Sequence, residues 1–281
     1  MNADAGWLAQ LQADYRLEDG RCLLRHEHRG PLRLLKSLYP EGPGICHSVL
    51  VHPPSGLVGG DTLELRLNLQ AGAHALLTTP GATRYYRSDQ GRLASQGLHA
   101  SLAAGARLEW LPMEAIAYPG CEGLNSARFE LAPGAELLAW DLLALGLPGA
   151  GQPFERGSFS QRLEVADAWL EQGRIAADDA PLMDGALGLA GQRCLGTLIF
   201  AAGEAIARDR VAAALDAVRA VIDAHPLREW AGATAPQDRV LVVRVLAPLV
   251  EPAQSLLRGC WAAWRQVLWR LDGKAPRLWA L

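Results

Sequence analysis

Residues 61–81 read DTLELRLNLQAGAHALLTTPG, and this stretch decides the fold. Its first half places four leucines in alternation with Glu64, Arg66 and Asn68, which is the period of two of a β-strand with one buried face. The short turn AGA follows, then the apolar run HALLTT, and a proline-glycine pair ends the run. The stretch therefore predicts two strands joined by a tight glycine turn.

The same module recurs twice further along the chain. Alternating strands precede the segments AAGARLEWLP and APGAELLAWD, each of which opens with a glycine turn. The turn glycines are Gly72, Gly105 and Gly134, so the repeat is roughly 30 residues long. We expect three successive β-hairpins, stacked so that each covers the apolar face of its neighbour. An ordinary antiparallel sandwich, in which hairpins also recur, fits the same pattern.

The character of the sequence changes after about residue 203. Apolar residues at helical spacing predict α-helices at about 204–225 and 249–271, and the segment DRVLVVRVLAP predicts a buried strand between them. The β-rich part covers 15–203, and no linker divides the chain. The sequence predicts a mainly β protein of stacked β-hairpin layers, solenoid-like or sandwich-like, with two α-helices towards the C-terminus, in a single domain spanning 1–281.

Composition narrows the class of function. The 281 residues carry a formal net charge of −3, and 50% are hydrophobic. Charges of both signs are mixed along the chain, which argues against a nucleic-acid partner. No apolar run of about 18 residues predicts a membrane span, and the N-terminus lacks the pattern of a secretory signal. The five cysteines are scattered without a CxxC pair, so we expect reduced thiols in a cytoplasmic protein.

Histidine and cysteine patterns are weak indicators of catalysis or metal binding. His26 and His28 are two apart and share one face of a strand, which makes either half a metal site or two exposed histidines. Cys46 and His47 resemble a nucleophile with its base, but neighbours in a strand point to opposite faces. We therefore expect Cys46 to be a buried structural residue.

Acidic residues leave an alternative function open. The sequence does not fix the separations among Glu109, Glu114, Glu122 and Asp141. A hydrolase on a β scaffold, using paired carboxylates or Cys46, is therefore the alternative to a binding protein. The loops carry distinctive sequence motifs, whereas no set of candidate catalytic residues does. This contrast favours a binding or scaffolding protein over an enzyme.

Two long motifs carry a resemblance to a known family. The segment HPPSGLVGGD occupies 52–61 and TTPGATRYYRS occupies 78–88; related segments continue to about residue 200 and resume with PRLW near the C-terminus. Together they resemble the urease accessory protein D family, called H in some organisms. The resemblance implies a mostly β architecture in stacked layers with a pair of helices, and this favours the layered version of the fold.

The resemblance also implies a function. Members of that family are not enzymes; they help to insert nickel into apo-urease in the cytoplasm. Their partners are the F-type accessory protein, the G-type GTPase that joins through it, and the urease apoprotein. The resemblance implies no permanently bound cofactor and a transient passage of Ni²⁺ through an interior lined by polar and acidic residues.

Three acids are the candidates for that passage. Asp61 closes the GLVGGD motif, Glu64 lies three positions on, and Asp141 follows the GAELLAW strand. By the resemblance, these carboxylates are expected to line the path of nickel. Spaced single carboxylates suit a passage, because a cage of three or four ligands would hold the ion too tightly to release it. The alternative for Asp61 is that it caps its own turn.

The second motif forms a loop, and the resemblance implies that five of its residues frame or anchor that loop: Thr78, Thr79, Tyr85, Arg87 and Ser88.

Three positions depart from the pattern of the family. Met113 stands where a glutamine is usual, and Cys121 and Glu122 stand in a stretch that is usually small and apolar. These departures weaken any transfer of metal-contacting roles to that part of the chain.

Tryptophans are concentrated near the C-terminus. Trp261 and Trp264 are three positions apart on the last predicted helix, and tryptophan is common at the anchors of protein interfaces. We therefore expect a partner surface at these two residues, with packing against the β layers as the alternative.

Overall fold

The structure is a computed structural model that describes residues 6–280; the predicted domain also includes 1–5 and 281, which lie outside the described residues. Elements are numbered in chain order. The strands are β1 (Leu8–Glu18), β2 (Arg21–Arg29), β3 (Arg33–Leu34), β4 (Ile45–Val51), β5 (Gly56–Leu57), β6 (Thr62–Leu69), β7 (His74–Thr78), β8 (Thr83–Tyr85), β9 (Ala94–Leu102), β10 (Arg107–Leu111), β11 (Ala115–Ala117), β12 (Glu122–Leu131), β13 (Glu136–Leu147), β14 (Gln152–Pro153), β15 (Ser158–Val165), β16 (Trp169–Ala176), β17 (Cys194–Ala202), β18 (Ala231–Gln237) and β19 (Val240–Ala247). The α-helices are α1 (Ala180–Asp184), α2 (Arg208–Asp223) and α3 (Val250–Trp264).

Within residues 6–280, these strands form two sheets that pack face to face. Sheet I has the order β16-β15-β12-β9-β6-β1-β2. Sheet II has the order β18-β19-β17-β13-β10-β7-β4-β3, with β5, β8, β11 and β14 attached beside it. The apolar side chains of the two inner faces form one core, to which Leu65 contributes from sheet I and Leu137 from sheet II.

The predicted stack of layers is confirmed, but the strands of each repeat do not form hairpins. The first strand of each repeat lies in sheet I, where β6, β9, β12 and β15 pair in parallel. The second strand lies in sheet II, where β4, β7, β10 and β13 pair in parallel. The chain therefore winds as a flattened coil, and each strand bonds to the equivalent strand of the next repeat instead of to its own partner.

The glycine turns explain this winding. Gly72 adopts φ +71°, a left-handed conformation that a residue with a Cβ rarely takes. Its N–H donates to the carbonyl of Ala104 in the next turn at 3.1 Å, so successive turns stack on one another. Ala73 N–H closes the bend by donating to the carbonyl of Gln70 at 3.0 Å. The bend thus carries the chain from sheet I across to sheet II instead of folding it back within one sheet.

Helices α2 and α3 cover the outer face of sheet II and confirm the two predicted helices. A second apolar core lies between them and the sheet, and includes Leu138, Phe200 and Trp264. The α-helical part of α3 ends at Trp264, and the chain continues as a π-helical turn over Arg265–Trp269. Among residues 6–280, no helix is long and apolar enough to cross a membrane.

Candidate functional site

A row of polar side chains crosses the space between the two sheets. Gln96 donates from Nε2 to Oδ1 of Asn125 at 3.3 Å, and Asn125 donates from Nδ2 to Oδ1 of Asp141 at 3.2 Å. Gln161 donates from Nε2 to Oδ2 of the same aspartate at 2.9 Å. We call these four residues the amide row. They are partly buried, although their neighbours on the inner faces belong to the apolar core.

The strand register produces the amide row. In sheet I, Gln96 on β9 pairs with Asn125 on β12, which pairs with Gln161 on β15, so the three amides stand side by side. Asp141 reaches them from β13 of sheet II, between two inward-facing apolar residues, Ala139 and Leu143. Three successive repeats therefore place an amide at the same level of the stack, opposite one carboxylate.

A cavity lies at each end of the amide row. Gln96 lines a cavity of about 230 Å³, whose other walls include His52 and Arg84. Asp141 lines a cavity of about 140 Å³, together with Gln161 and Glu171. The row thus connects two cavities with groups that can accept or donate hydrogen bonds along its whole length.

The second cavity has a half-exposed acid beside it. Oε1 of Glu171 accepts a hydrogen bond from the hydroxyl of Thr197 at 3.1 Å. Its Oε2 accepts from Nε of Arg244 at 2.9 Å. Glu171 on β16 and Asp141 on β13 come from facing sheets, so two carboxylates lie on the walls of one small cavity.

Asp141 has an altered acidity. Burial raises its pKa from the usual 3.8 to about 6, and the nearby Glu171 carboxylate adds to the rise. The hydrogen bonds from Gln161 and Asn125 oppose the shift, because they stabilise the charged form. Above about pH 6 this carboxylate is ionised and is available to a cation.

The raised pKa predicts a pH-dependent stability. Between about pH 4 and pH 6 the folded protein keeps a proton on Asp141 that the unfolded chain has released, so this group's contribution to the free energy of unfolding falls as pH rises through that window. We expect Asp141→Asn to be about 2–3 kcal/mol more stable than the parent at pH 8 and within about 1 kcal/mol of it at pH 4. Urea unfolding of both proteins at the two pH values measures the difference; a variant that is less stable at pH 8 would contradict the prediction.

Sequence reasoning found Asp141 but missed the three amides. The signal was present, because Gln96, Asn125 and Gln161 each interrupt an inward-facing apolar series at equivalent positions of successive strands. Buried polar residues are more informative than exposed apolar ones. Recognising the signal requires the parallel register, which the hairpin prediction did not contain.

The structure does not bring Asp61 and Glu64 together with Asp141. Asp61 is buried in a turn, where its Oδ1 accepts the N–H of Trp7 and its Oδ2 accepts the N–H of Val58, both at 2.9 Å. Glu64 lies on the outer face of sheet I and accepts a hydrogen bond from Gln10 at 2.9 Å. Asp61 therefore caps its turn, as the alternative had it, and the nickel contacts of both acids stay predictions.

Asp61 is nevertheless close to the first cavity. Its charge acts on His52, which lines that cavity. Burial lowers the pKa of His52, and the Asp61 carboxylate opposes this shift. An imidazole in its neutral form is a metal ligand.

The residues of the TTPGATRYYRS loop separate into different environments. Thr78 is buried on the helix side of sheet II and accepts a hydrogen bond from Trp279 Nε1 at 2.9 Å, whereas Thr79 Oγ1 accepts the N–H of Met113 at 2.9 Å. Tyr85 is fully buried. Arg87 pairs with Asp89 at the surface. The hydroxyl of Ser88 is buried and has no hydrogen-bond partner within the described part of the chain.

Cys121 and Glu122, which the resemblance set apart together with Met113, make contacts with Ser158. The thiol of Cys121 donates to the carbonyl of Ser158 at 3.8 Å. Glu122 Oε2 accepts a hydrogen bond from the Ser158 hydroxyl at 2.6 Å. Neither lies in the amide row.

The predicted partner surface at Trp261 and Trp264 is corrected. Trp261 is 1% exposed and Trp264 is fully buried, and both pack in the core between sheet II and the helices. Their indole N–H groups donate inward, to Glu109 Oε2 at 2.7 Å and to the carbonyl of Ala214 at 3.0 Å. The helical stripe that carries them is the face that α3 buries.

A second polar cluster, the charged cluster, lies beneath α3. Arg265 is fully buried; it donates to Glu41 Oε2 at 2.8 Å and lies 3.4 Å from Glu109 Oε2. The other oxygen of Glu41 contacts His47 at 2.8 Å, and that of Glu109 contacts His74 at 3.0 Å. Burial works against ionisation of Glu41, but hydrogen bonds from His47 and Arg265 lower its pKa overall. One guanidinium thus joins two buried carboxylate–imidazole pairs.

The pairing of Cys46 with His47 does not form. Cys46 points into the core between the sheets, whereas His47 points to the opposite face and pairs with Glu41. This confirms that the two neighbours cannot act as nucleophile and base. Glu109 and Asp141 likewise lie on opposite faces of sheet II, since the former contacts Trp261 of α3 and the latter contacts the amides of sheet I.

The predicted pair of histidines on β2 is exposed. The rings of His26 and His28 have their centroids 6.2 Å apart, which agrees with their sharing one face of the strand. Over residues 6–280, no three histidine, cysteine, aspartate or glutamate side chains cluster in a way that could hold a metal ion.

The fold and the site define a class of layered parallel β-proteins that carry a polar row between two sheets. The family model for the UreD urease accessory protein matches residues 8–280. The urease accessory protein UreD of Paracidovorax citrulli is 61% identical over 275 residues, which cover 98% of this chain and 99% of the relative. Its counterpart in Albidiferax ferrireducens is 58% identical, with the same coverage. The chain belongs to the UreD family of urease accessory proteins.

Proposed function

We propose that this protein is a non-catalytic factor in the maturation of urease and that it helps nickel to reach the apoenzyme through the space between its sheets. Membership of the UreD family supports the role in maturation. The observation that carries the passage is the amide row, which links two cavities through the partly buried Asp141. The proposed partners are apo-urease, the F-type accessory protein and, through it, the G-type GTPase, in the cytoplasm.

The chemistry of the amide row suits a cation that has to move on. Ni²⁺ accepts imidazole, carboxylate and water as ligands, and burying it bare would cost many kcal/mol. His52 at one cavity and Asp141, which lines the other cavity together with Glu171, offer ligands at two separate points. Amide oxygens and water complete the coordination between them. Such spaced sites bind strongly enough for entry and weakly enough for release.

Asp141→Asn tests the passage. The change removes the charge but keeps a side chain of nearly the same shape, so nickel transfer should fall while the fold and the protein complex persist. We expect nickel incorporation into urease about tenfold lower, the scale of effect that polar groups around a metal ion commonly have. Metal analysis of urease, matured in cells that carry the variant, measures the transfer, and co-purification measures the complex.

Glu64→Gln is the matched control for that experiment. It likewise neutralises one acid, but this acid lies on the outer face of sheet I, away from the amide row. We expect the parent level of nickel in this variant. Normal nickel loading with Asp141→Asn, or an equal loss with Glu64→Gln, would contradict a passage through the row.

Asp61→Ala separates support of the fold from nickel transfer. The change removes the acceptor of two backbone N–H groups, so we expect the free energy of unfolding to fall by about 2–3 kcal/mol. Asp61→Asn keeps one acceptor oxygen and should lose less. Urea unfolding gives the stability, and nickel analysis beside co-purification gives the function. If nickel and complex fall together, Asp61 acts through the fold; a loss of nickel alone would place it on the passage.

A further inference from the structure

Two histidines stand side by side on the exposed part of β2, the edge strand of sheet I. His26 and His28 are two positions apart, so their side chains lie on one face of the strand, and their ring centroids are 6.2 Å apart. Within residues 6–280, neither imidazole has a hydrogen-bond or ion-pair partner. Both rings are therefore open to solvent and to a ligand.

The course of β2 explains why this face is open. Cys22, near the start of the strand, lies in the core between the sheets, and Leu24 packs against that core. His26 and His28 continue the same face, but both are exposed. The strand therefore runs out from between the sheets, and its last inward-facing positions carry imidazoles instead of apolar side chains.

The backbone holds the two histidines in place. Strand β2 pairs with β1 along its whole length without a register shift, so both residues belong to a continuous antiparallel ladder. The charged residues that alternate with them, Arg25, Glu27 and Arg29, lie on the other face of the strand. No arginine of β2 therefore shares the face that carries the imidazoles, and a cation meets no positive side chain of this strand there.

The spacing of the rings suits one shared metal ion. Metal–nitrogen bonds of about 2.1 Å place the centroid of a bound imidazole about 3.2 Å from the metal, so two rings on one ion have centroids at most about 6.4 Å apart. The observed 6.2 Å lies within this limit. Rotation about side-chain bonds is enough to direct one nitrogen of each ring to the same ion, and the strand does not have to move.

We propose that His26 and His28 form a bidentate surface site for a divalent transition-metal ion that accepts imidazole ligands, such as Ni²⁺ or Cu²⁺. Water completes the coordination, so the ion exchanges readily. The site goes beyond the proposed passage: β2 is the third strand from β9, where the amide row begins, which is about 14 Å at the usual spacing of strands.

The ligands determine which ions the site takes. Neutral imidazole binds nickel, copper and zinc, whereas Mg²⁺ and Ca²⁺ require oxygen ligands. With two imidazoles and no imposed geometry, affinity should follow the usual order, in which Cu²⁺ binds more tightly than Ni²⁺. Excess Mg²⁺ should not displace either ion. Displacement of nickel by Mg²⁺ would contradict an imidazole site.

Titration with nickel chloride tests the proposal. The purified parent, His26→Gln, His28→Gln and the double variant are titrated in a calorimeter at neutral pH. Each single change should weaken binding by about 100-fold, because the remaining imidazole loses the benefit of a second ligand held beside it. The double variant should show the same loss as each single variant. Single variants that each keep half of the bound nickel at the parent affinity would mean two independent histidines and would overturn the chelate.

His99→Gln is the matched control. His99 is also an exposed histidine of sheet I, with 47% of its side chain accessible, but it pairs with Glu130 at 3.2 Å. We expect nickel binding at the parent affinity in this variant. Nickel that binds only along the amide row would leave the variants at positions 26 and 28 unchanged, which overturns this site but not the passage.

Protection from chemical modification locates the ion. Diethyl pyrocarbonate acylates accessible imidazoles, and peptide mass spectrometry then gives the extent of reaction at each histidine. Nickel chloride should protect residues 26 and 28 together, while His99 reacts as it does without nickel. Reaction at residues 26 and 28 that nickel leaves unchanged, or equal protection of His99, would overturn the proposal. The measurement uses the protein without urease, so its result is independent of nickel transfer.

Discussion

Arg265→Met is expected to lower the free energy of unfolding by about 3–5 kcal/mol, because breaking a buried ion pair leaves charge without compensation. Arg265 is fully buried and donates to Glu41 at 2.8 Å and to the carbonyl of Asp272 at 2.6 Å. Without the guanidinium, the buried carboxylates of Glu41 and Glu109 lose their shared positive partner and repel each other beneath α3. Urea unfolding at pH 7 measures the loss.

The control for this prediction is an exposed ion pair between α2 and β18. Arg228 and Glu229 are 65% and 81% exposed at a distance of 3.4 Å, so Arg228→Gln should cost less than about 1 kcal/mol. Combining Arg265→Met with Glu109→Gln should cost less than the sum of the single changes, because the second change removes the charge that the first leaves unpaired. Strict additivity, or equal losses for the buried and exposed arginines, would contradict the account of the charged cluster.

Trp264→Ala is expected to destabilise the protein by about 3–5 kcal/mol, the usual cost of removing a large buried aromatic side chain. Trp264 fills the space between α3 and α2, where it donates to the carbonyl of Ala214 at 3.0 Å. The truncation opens a cavity that the two helices cannot fill by moving, since both also pack on sheet II. Urea unfolding gives the size of the effect.

Trp230→Ala is the matched control for the tryptophan. Trp230 is 41% exposed, and its truncation should change stability by less than about 1 kcal/mol. Co-purification with urease and the accessory proteins, compared at equal amounts of folded protein, completes the test. If Trp264→Ala leaves stability unchanged but abolishes a protein contact, the partner surface predicted from the sequence is restored.

The buried position of Trp264 shows that helical spacing predicts which residues share a face but not what that face contacts. Its spacing from Trp261 predicted that the two share a face of a helix, and this is confirmed. The same spacing fits a stripe that docks on a partner and a stripe that packs on the protein's own sheet. Burial of the stripe depends on where sheet II ends and how α2 approaches, and neither is encoded in the helix itself.

For the acids of the predicted passage, too, the sequence identified the local turn, whereas the tertiary structure decided which groups contact the carboxylate. The turn that holds Asp61 was identified from its glycines and prolines, but the sequence left capping and metal contact equally open. The two backbone N–H groups that occupy its carboxylate come from Val58, three positions away, and from Trp7, which is 54 positions away. The second contact exists because β1 pairs in parallel with β6, a pairing that the alternation of side chains does not specify.

The sequence by itself determined the strands of the three repeats and their apolar faces, the positions of the two long helices and the family to which the chain belongs. These properties depend on neighbours along the chain, where a period of two or of 3.6 is visible directly. Tertiary structure alone decided the direction of strand pairing, the alignment of Gln96, Asn125 and Gln161, and the ion pair between Glu41 and Arg265, which are 224 positions apart. Hydrophobic burial fixes which face turns inward, but it is non-directional, so the choice of neighbour follows from how all the strands pack together.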